Sequence, residues 1–111
     1  MSSWYKLVGT TPVKCDIKDL GEENRVVGKD TVKVFEESVS ISTVFLSLDH
    51  SHGGDRPVLF ETMIFGGHYD QEQYRYYTWE DAEIGHKALV EYAQGVIDSD
   101  ELNTIMNKLM A

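Results

Sequence analysis

Residues 41–65, ISTVFLSLDHSHGGDRPVLFETMIF, set two apolar, strand-like runs on either side of a loop carrying Asp49, His50 and His52. Over 40–49, Ile41, Thr43 and Phe45 alternate onto one face and Val44, Leu46 and Leu48 onto the other. Apolar groups on both faces predict a strand in the interior of a sheet. Gly53 and Gly54 permit positive φ, and Pro57 excludes helix from the residue before it, so 50–57 reads as a loop. Residues 58–65 form the next strand, which Gly66 and Gly67 close. A chain of 111 residues has room for a single hydrophobic core, so these two strands fix the centre of one domain spanning 1–111.

The other segments fit around that centre. Residues 4–8 read as a first strand entering a turn, and Val13, Cys15 and Ile17 alternate over a short extended piece. The polar stretch 18–24 suits a loop or one helical turn. Residues 25–27 and 31–36 are β-favouring and are separated by Gly28, Lys29 and Asp30, a spacing that predicts a hairpin there. The segment 68–77, HYDQEQYRYY, suits either a contact surface or half-buried packing under a helix. Thr78 begins a long helix, with Asp81 three residues on in a capping-box-like arrangement. Trp79, Ala82, His86, Leu89, Ala93 and Val96 form its core-facing stripe, which turns His86 inward. Gly85 is a poor helix former and predicts close approach by another element. Leu102, Ile105, Met106 and Leu109 give the stripe of a shorter second helix. The fold class is α+β, an antiparallel sheet of about four strands with a long and a short C-terminal helix packed on one face.

Nineteen acidic against ten basic side chains give a net charge of −9, which opposes direct contact with nucleic acid and favours a basic protein partner. No apolar run reaches the ~20 residues of a membrane helix, and MSSWYKLVG lacks signal-peptide architecture, so a cytoplasmic location is expected. The single Cys15 has no partner for a disulfide or a thiolate knuckle. The motifs GxSxG and HExxH, the phosphate-binding glycine loop and the Cys-His signatures do not occur.

The chemistry that remains is metal-capable. His50 at a strand end, Glu61 inside an apolar strand and His86 on a buried helix stripe are candidate ligands for zinc or another divalent cation, with Asp49 as fourth ligand and His52 as its rival. A buried carboxylate at Glu61 needs a cation or a strong donor, which Arg56 or Arg75 could supply instead of an ion. A shared ion also requires a wide loop, reaching roughly to Phe60. In a tight hairpin Glu61 would lie about 13 Å along the strand from His50.

The segments TVFLSLDHSHGG, LFETMIFGG and RYYTWEDAEIGH resemble a family of small proteins encoded by bacteriophages and prophages, with the pattern FLxLDHxxGG, LFETMxFGG and RYxTWxxAxxGH. The resemblance covers about residues 43–86, and WYKLVGTTPV near the start also fits. Position by position it singles out Asp49, His50, Glu61, Arg75, Trp79 and His86, and leaves His52 and His68 at open positions. Small acidic phage proteins of this kind are similar to anti-defence factors, including type II anti-CRISPR proteins that bind Cas9 and block its engagement of DNA. The resemblance implies a non-enzymatic, stoichiometric inhibitor of a bacterial defence nuclease such as Cas9, acting in the cytoplasm of the infected host and holding a structural zinc-like ion. The surface meeting the nuclease would draw on Glu22, Glu23, Glu36, Glu37, Asp70, Glu72 and the acidic residues of 98–101. Two other functions are compatible with the sequence: a small metal-dependent hydrolase or nucleotide-binding protein acting on a host defence signal, and a minor phage structural or housekeeping protein.

Overall fold

The computed structural model describes residues 3–21, 25–51 and 53–110. Its centre is a four-stranded antiparallel sheet of β3 (Val26–Val34), β4 (Glu37–Phe45), β5 (Phe60–Phe65) and β6 (Gln73–Tyr76), paired in that order. Ahead of it, β1 (Trp4–Val8) and β2 (Thr11–Cys15) form a separate hairpin, followed by a 3-10 turn over Ile17–Asp19. The helices α1 (Trp79–Ala93) and α2 (Ser99–Leu109) complete an α+β architecture. Among the described residues no helix is long and apolar enough to cross a membrane.

The alternation in residues 41–45 decides which side of the sheet the helices cover. Val39, Ile41, Thr43 and Phe45 of β4 and Phe60, Thr62 and Ile64 of β5 are buried on the helix side. The apolar ones among them meet Ala82, Leu89 and Ala93 of α1 and Leu102 and Met106 of α2 in one hydrophobic cluster. Each fully buried Phe, Ile or Leu adds roughly 1.5–3 kcal/mol relative to an exposed one, so this layer carries the fold. Phe60 packs its ring against Phe45 at 5.4 Å and edge-on to Trp79 at 6.2 Å, tying the sheet to the start of α1. The start of α1 is capped as the sequence predicts, the Asp81 N–H donating to Thr78 Oγ1 at 3.0 Å, and α2 is capped in the same way by Asp98, whose Oδ1 accepts from the Glu101 N–H at 2.9 Å.

Several boundaries differ from the sequence expectation: β4 runs Glu37–Phe45 in place of 40–49, β5 begins at Phe60, Gln73–Tyr76 is a strand within the 68–77 segment, and two further differences relocate side chains. Residues 26–34 are one continuous strand with a register shift between Val26 and Gly28, so Gly28, Lys29 and Asp30 are not a hairpin turn. The turn falls instead at Phe35 and Glu36, whose φ values are 48° and 70°. A two-residue hairpin loop with positive φ at both positions favours Asn-Gly; a Phe and a Glu held there each cost about 1–2 kcal/mol. The second difference is at the end of α1, which stops at Ala93, with Gly95 in the left-handed region at φ 78°, so Val96 leaves the apolar stripe and is 66% exposed.

Candidate functional site

Of the residues selected from the sequence, His86 occupies the most organised surroundings. It is 7% exposed, on the face of α1 that meets β3 and β4. Its Nε2–H donates to Asp30 Oδ2 at 2.6 Å, across the sheet edge. A neutral imidazole that donates from Nε2 accepts at Nδ1, so the Thr43 hydroxyl, 2.6 Å away, donates to it. Thr43 Oγ1 in turn lies 2.5 Å from Thr62 Oγ1, which lies 2.9 Å from the Tyr76 hydroxyl. With Tyr76 as the terminal donor, all four bonds run one way, from Tyr76 through Thr62 and Thr43 to His86 and out to Asp30. Burial pushes the Tyr76 phenol well above its ordinary value, which keeps the donor end protonated.

This chain crosses the sheet within one layer. Thr43 and Thr62 are directly paired, Thr62 is opposite Tyr74, and Phe45, Phe60 and Tyr76 form the adjoining row. Two glycines admit the bulky ends. Gly28 faces the His86 ring, and a Cβ there would stand 2.8 Å from His86 Cδ2; Gly85 does the same for the Tyr76 ring. The Asp-His-Thr order mimics a nucleophile relay, yet Thr43 is fully buried and its hydroxyl is committed on both sides. The arrangement specifies packing and register in an otherwise apolar interface.

Asp49 and His50 belong to a different structure, the neck of the 50–57 loop. Asp49 Oδ1 accepts from the N–H groups of Ser51 at 2.8 Å and Val58 at 3.0 Å, and Oδ2 accepts from Ser51 Oγ at 3.0 Å. Burial raises the Asp49 carboxyl, but these donors outweigh it and hold the group below its ordinary value. The N–H of His50 donates to the Val58 carbonyl at 3.0 Å, and its ring Nδ1–H donates to the Leu48 carbonyl at 2.6 Å. The Asp49 carboxylate and the His50 backbone together close the loop.

Glu61 lies on the other side of the sheet. It pairs with Val44 and Arg75, one step out of phase with Thr43 and Thr62, so it points away from α1 and from His86. Arg75 Nε donates to Glu61 Oε2 at 2.9 Å, the cation that an enclosed carboxylate requires. The wide loop needed to bring Glu61 level with His50 does not form: Phe60 pairs with Phe45, and Glu61 is three residues, roughly 10 Å, beyond the Val58 that His50 meets. Asp49, His50, Glu61 and His86 therefore do not make one zinc site in this fold, because Glu61 and His86 project from opposite faces and Asp49 and His50 serve the loop. Among the described residues no three His, Cys, Asp or Glu groups gather to hold an ion. His52 lies outside the described residues.

Sequence reasoning missed Asp30, Thr43, Thr62 and Tyr76. A signal was present for two of them: Thr43 and Thr62 interrupt apolar runs at positions in phase with Ile41, Phe45, Phe60 and Ile64. Hydroxyls placed on a core face imply a buried polar partner.

On the outer side of the helices the chemistry is electrostatic. Residues 79–110 contain Glu80, Asp81, Glu83, Glu91, Asp98, Asp100 and Glu101 against Lys87 and Lys108. Glu80, Glu83, Asp98, Asp100 and Glu101 are exposed. Five of the seven stand at helix starts, where the dipole and capping favour them, but Glu83 and Glu91 have no such local reason. The opposite, open face of the sheet instead carries Lys29, Lys33 and the Glu61–Arg75 pair. The charge of the chain is thus divided between its two sides. Comparison with protein-family models, with curated proteins and with solved structures finds no match to this chain.

Proposed function

We propose that this chain is a non-catalytic binding protein whose acidic helical side covers a basic, nucleic-acid-binding surface of a bacterial defence nuclease. The Cas9 type is the instance to which its resemblance to small phage-encoded proteins leads. The observation that carries the reading is the concentration of carboxylates over residues 79–110, seven acids against two lysines, with Glu80, Glu83, Asp98, Asp100 and Glu101 exposed. A patch of that sign repels nucleic acid and steers the protein toward cations arranged for phosphate. Burial of Thr43 and the commitment of the Asp49 carboxylate to loop N–H groups also favour binding over turnover. The reading uses no metal ion.

The test is a titration of DNA cleavage by guide-loaded Cas9 against the purified chain. Cleavage that ends at one equivalent of added protein, with preformed Cas9–DNA complex resisting inhibition, fits the proposal. Unchanged cleavage at large excess rejects it for Cas9, and loss of activity at far below one equivalent would mark an enzyme.

A further inference from the structure

The open face of the sheet carries a strip of hydrogen-bond donors with an exposed ring beside it. In the pairing of β3 with β4, Lys29 stands opposite Ser42, Thr31 opposite Ser40 and Lys33 opposite Ser38. These positions alternate with Asp30, Val32, Val39 and Ile41, which belong to the helix side, so all six side chains share the face that α1 and α2 leave open. Thr31 Oγ1 lies 3.4 Å from Ser40 Oγ, and Lys29, Thr31, Lys33 and Ser38 are exposed. Among the described residues neither ammonium has a carboxylate partner. The acids nearby are committed or turned aside: Asp30 is bonded to His86, Glu61 to Arg75, and Glu37 pairs with Val34 in step with the helix side, while Glu36 lies in the turn beyond Lys33. Next to the strip, Phe65 of β5 pairs with Ser40 and is 47% exposed on the same face.

We infer that this face binds a single strand of nucleic acid, with phosphates along the β3–β4 strip and a base stacked on Phe65. Successive rows of the strip are two residues apart, about 6.7 Å, a spacing comparable to that of successive phosphates in an extended strand. Phe65 is one strand away from Ser40, about 5 Å, within reach of a base whose phosphate lies on the strip. Ammonium and hydroxyl donors take phosphate oxygens, and an exposed ring takes a base that no partner base covers. A duplex keeps its bases stacked on one another and offers Phe65 nothing. The net charge of −9 opposes approach from a distance, but the carboxylates on the outer side of the helices stand behind the thickness of a helix, about 10 Å. Physiological salt, with a Debye length of about 8 Å, screens them more than it screens the lysines in contact. The strip and the acidic helices are on opposite sides of the sheet, so the inference does not rest on the proposed nuclease partner.

Fluorescence anisotropy of a labelled oligothymidylate of about 12 nucleotides, titrated with the full chain at about 0.1 M salt, tests the inference. Saturable binding in the micromolar range is expected. The K29Q/K33Q variant should bind about 10-fold more weakly and F65T about 5-fold more weakly, both melting within a few degrees of wild type. K87Q/K108Q lowers the net charge by the same amount on the helical side and should bind as wild type does. An unlabelled duplex of matching length should compete poorly. A wild-type chain that does not bind at submillimolar concentration overturns the inference. So do equal losses in K29Q/K33Q and K87Q/K108Q, an F65T variant that binds undiminished, or a duplex that competes as well as the single strand.

Discussion

The ring of Tyr76 lies directly against the Cα of Gly85: a Cβ at position 85 would stand 2.2 Å from Tyr76 Cε1 and 2.4 Å from its Cζ and hydroxyl oxygen. No side chain fits there while Tyr76 keeps its place. Gly85 is the point at which α1 drops onto the sheet and sets the height of His86 above Thr43.

Gly85→Ala is therefore expected to destabilise the protein by about 1–3 kcal/mol, although alanine in an open helix would gain about 1 kcal/mol. Urea denaturation measures this directly. In a Tyr76→Leu background the same substitution should become neutral or stabilising. Equal effects in both backgrounds would mean that the Tyr76 ring is not the obstacle.

The polar chain from Tyr76 to Asp30 predicts strong coupling between its hydroxyls. Thr43→Val removes the partner of His86 Nδ1 and one of the two partners of the Thr62 hydroxyl in a buried place, at a cost of about 2–4 kcal/mol. Adding Thr62→Val should cost less than it does alone, because only the Thr62 bond to Tyr76 remains to be lost. Additive losses in the double-mutant cycle would contradict a continuous chain.

The Asp49 carboxyl titrates below its unfolded value, which fixes the sign of a pH effect. A depressed carboxyl pKa stabilises the folded state above the unfolded value of about 3.9, and the contribution disappears as pH falls through the folded value. The stability gap between wild type and Asp49→Ala should thus be widest near neutral pH and narrow below about pH 4. A gap constant from neutral to acid would show that the Ser51 and Val58 N–H bonds do not depend on the charge.

The positions of Asp49, His50, Glu61 and His86 also make a prediction about metal. Because Glu61 is paired with Arg75 on the face of the sheet opposite His86, any zinc found by elemental analysis in protein purified without a metal-affinity tag should be retained by the Glu61→Gln variant. Loss of bound zinc in Glu61→Gln would require a different arrangement of these side chains.

Much of this architecture was legible in the sequence because burial and alternation act locally. The pattern of Ile41, Thr43 and Phe45 marks β4 as an interior strand, Thr78 announces α1, and the His86 and Leu89 stripe turns the correct side of the helix inward. Gly85 signals a close approach without naming Tyr76. Registers were not legible. Whether Glu61 stands level with Val44 or with His50 depends on how the 50–57 loop closes, and the same one-residue phase decides which face Glu61 occupies. The turn at Phe35 and Glu36 was hidden for a different reason: local preference favours Gly28, Lys29 and Asp30, and strand pairing overrides it.

The binding role is tested most directly by the affinity of guide-loaded Cas9 for the chain and for a Glu80→Lys, Glu83→Lys, Asp100→Lys variant, each measured at low and high salt. Our account predicts tight one-to-one binding that weakens with salt and falls about 100-fold or more in the charge-reversed protein, whose melting temperature drops by only the few degrees that Lys at the first-turn positions 80 and 100 costs. Equal affinity for both proteins, or no binding of the wild-type chain at low salt, would contradict it.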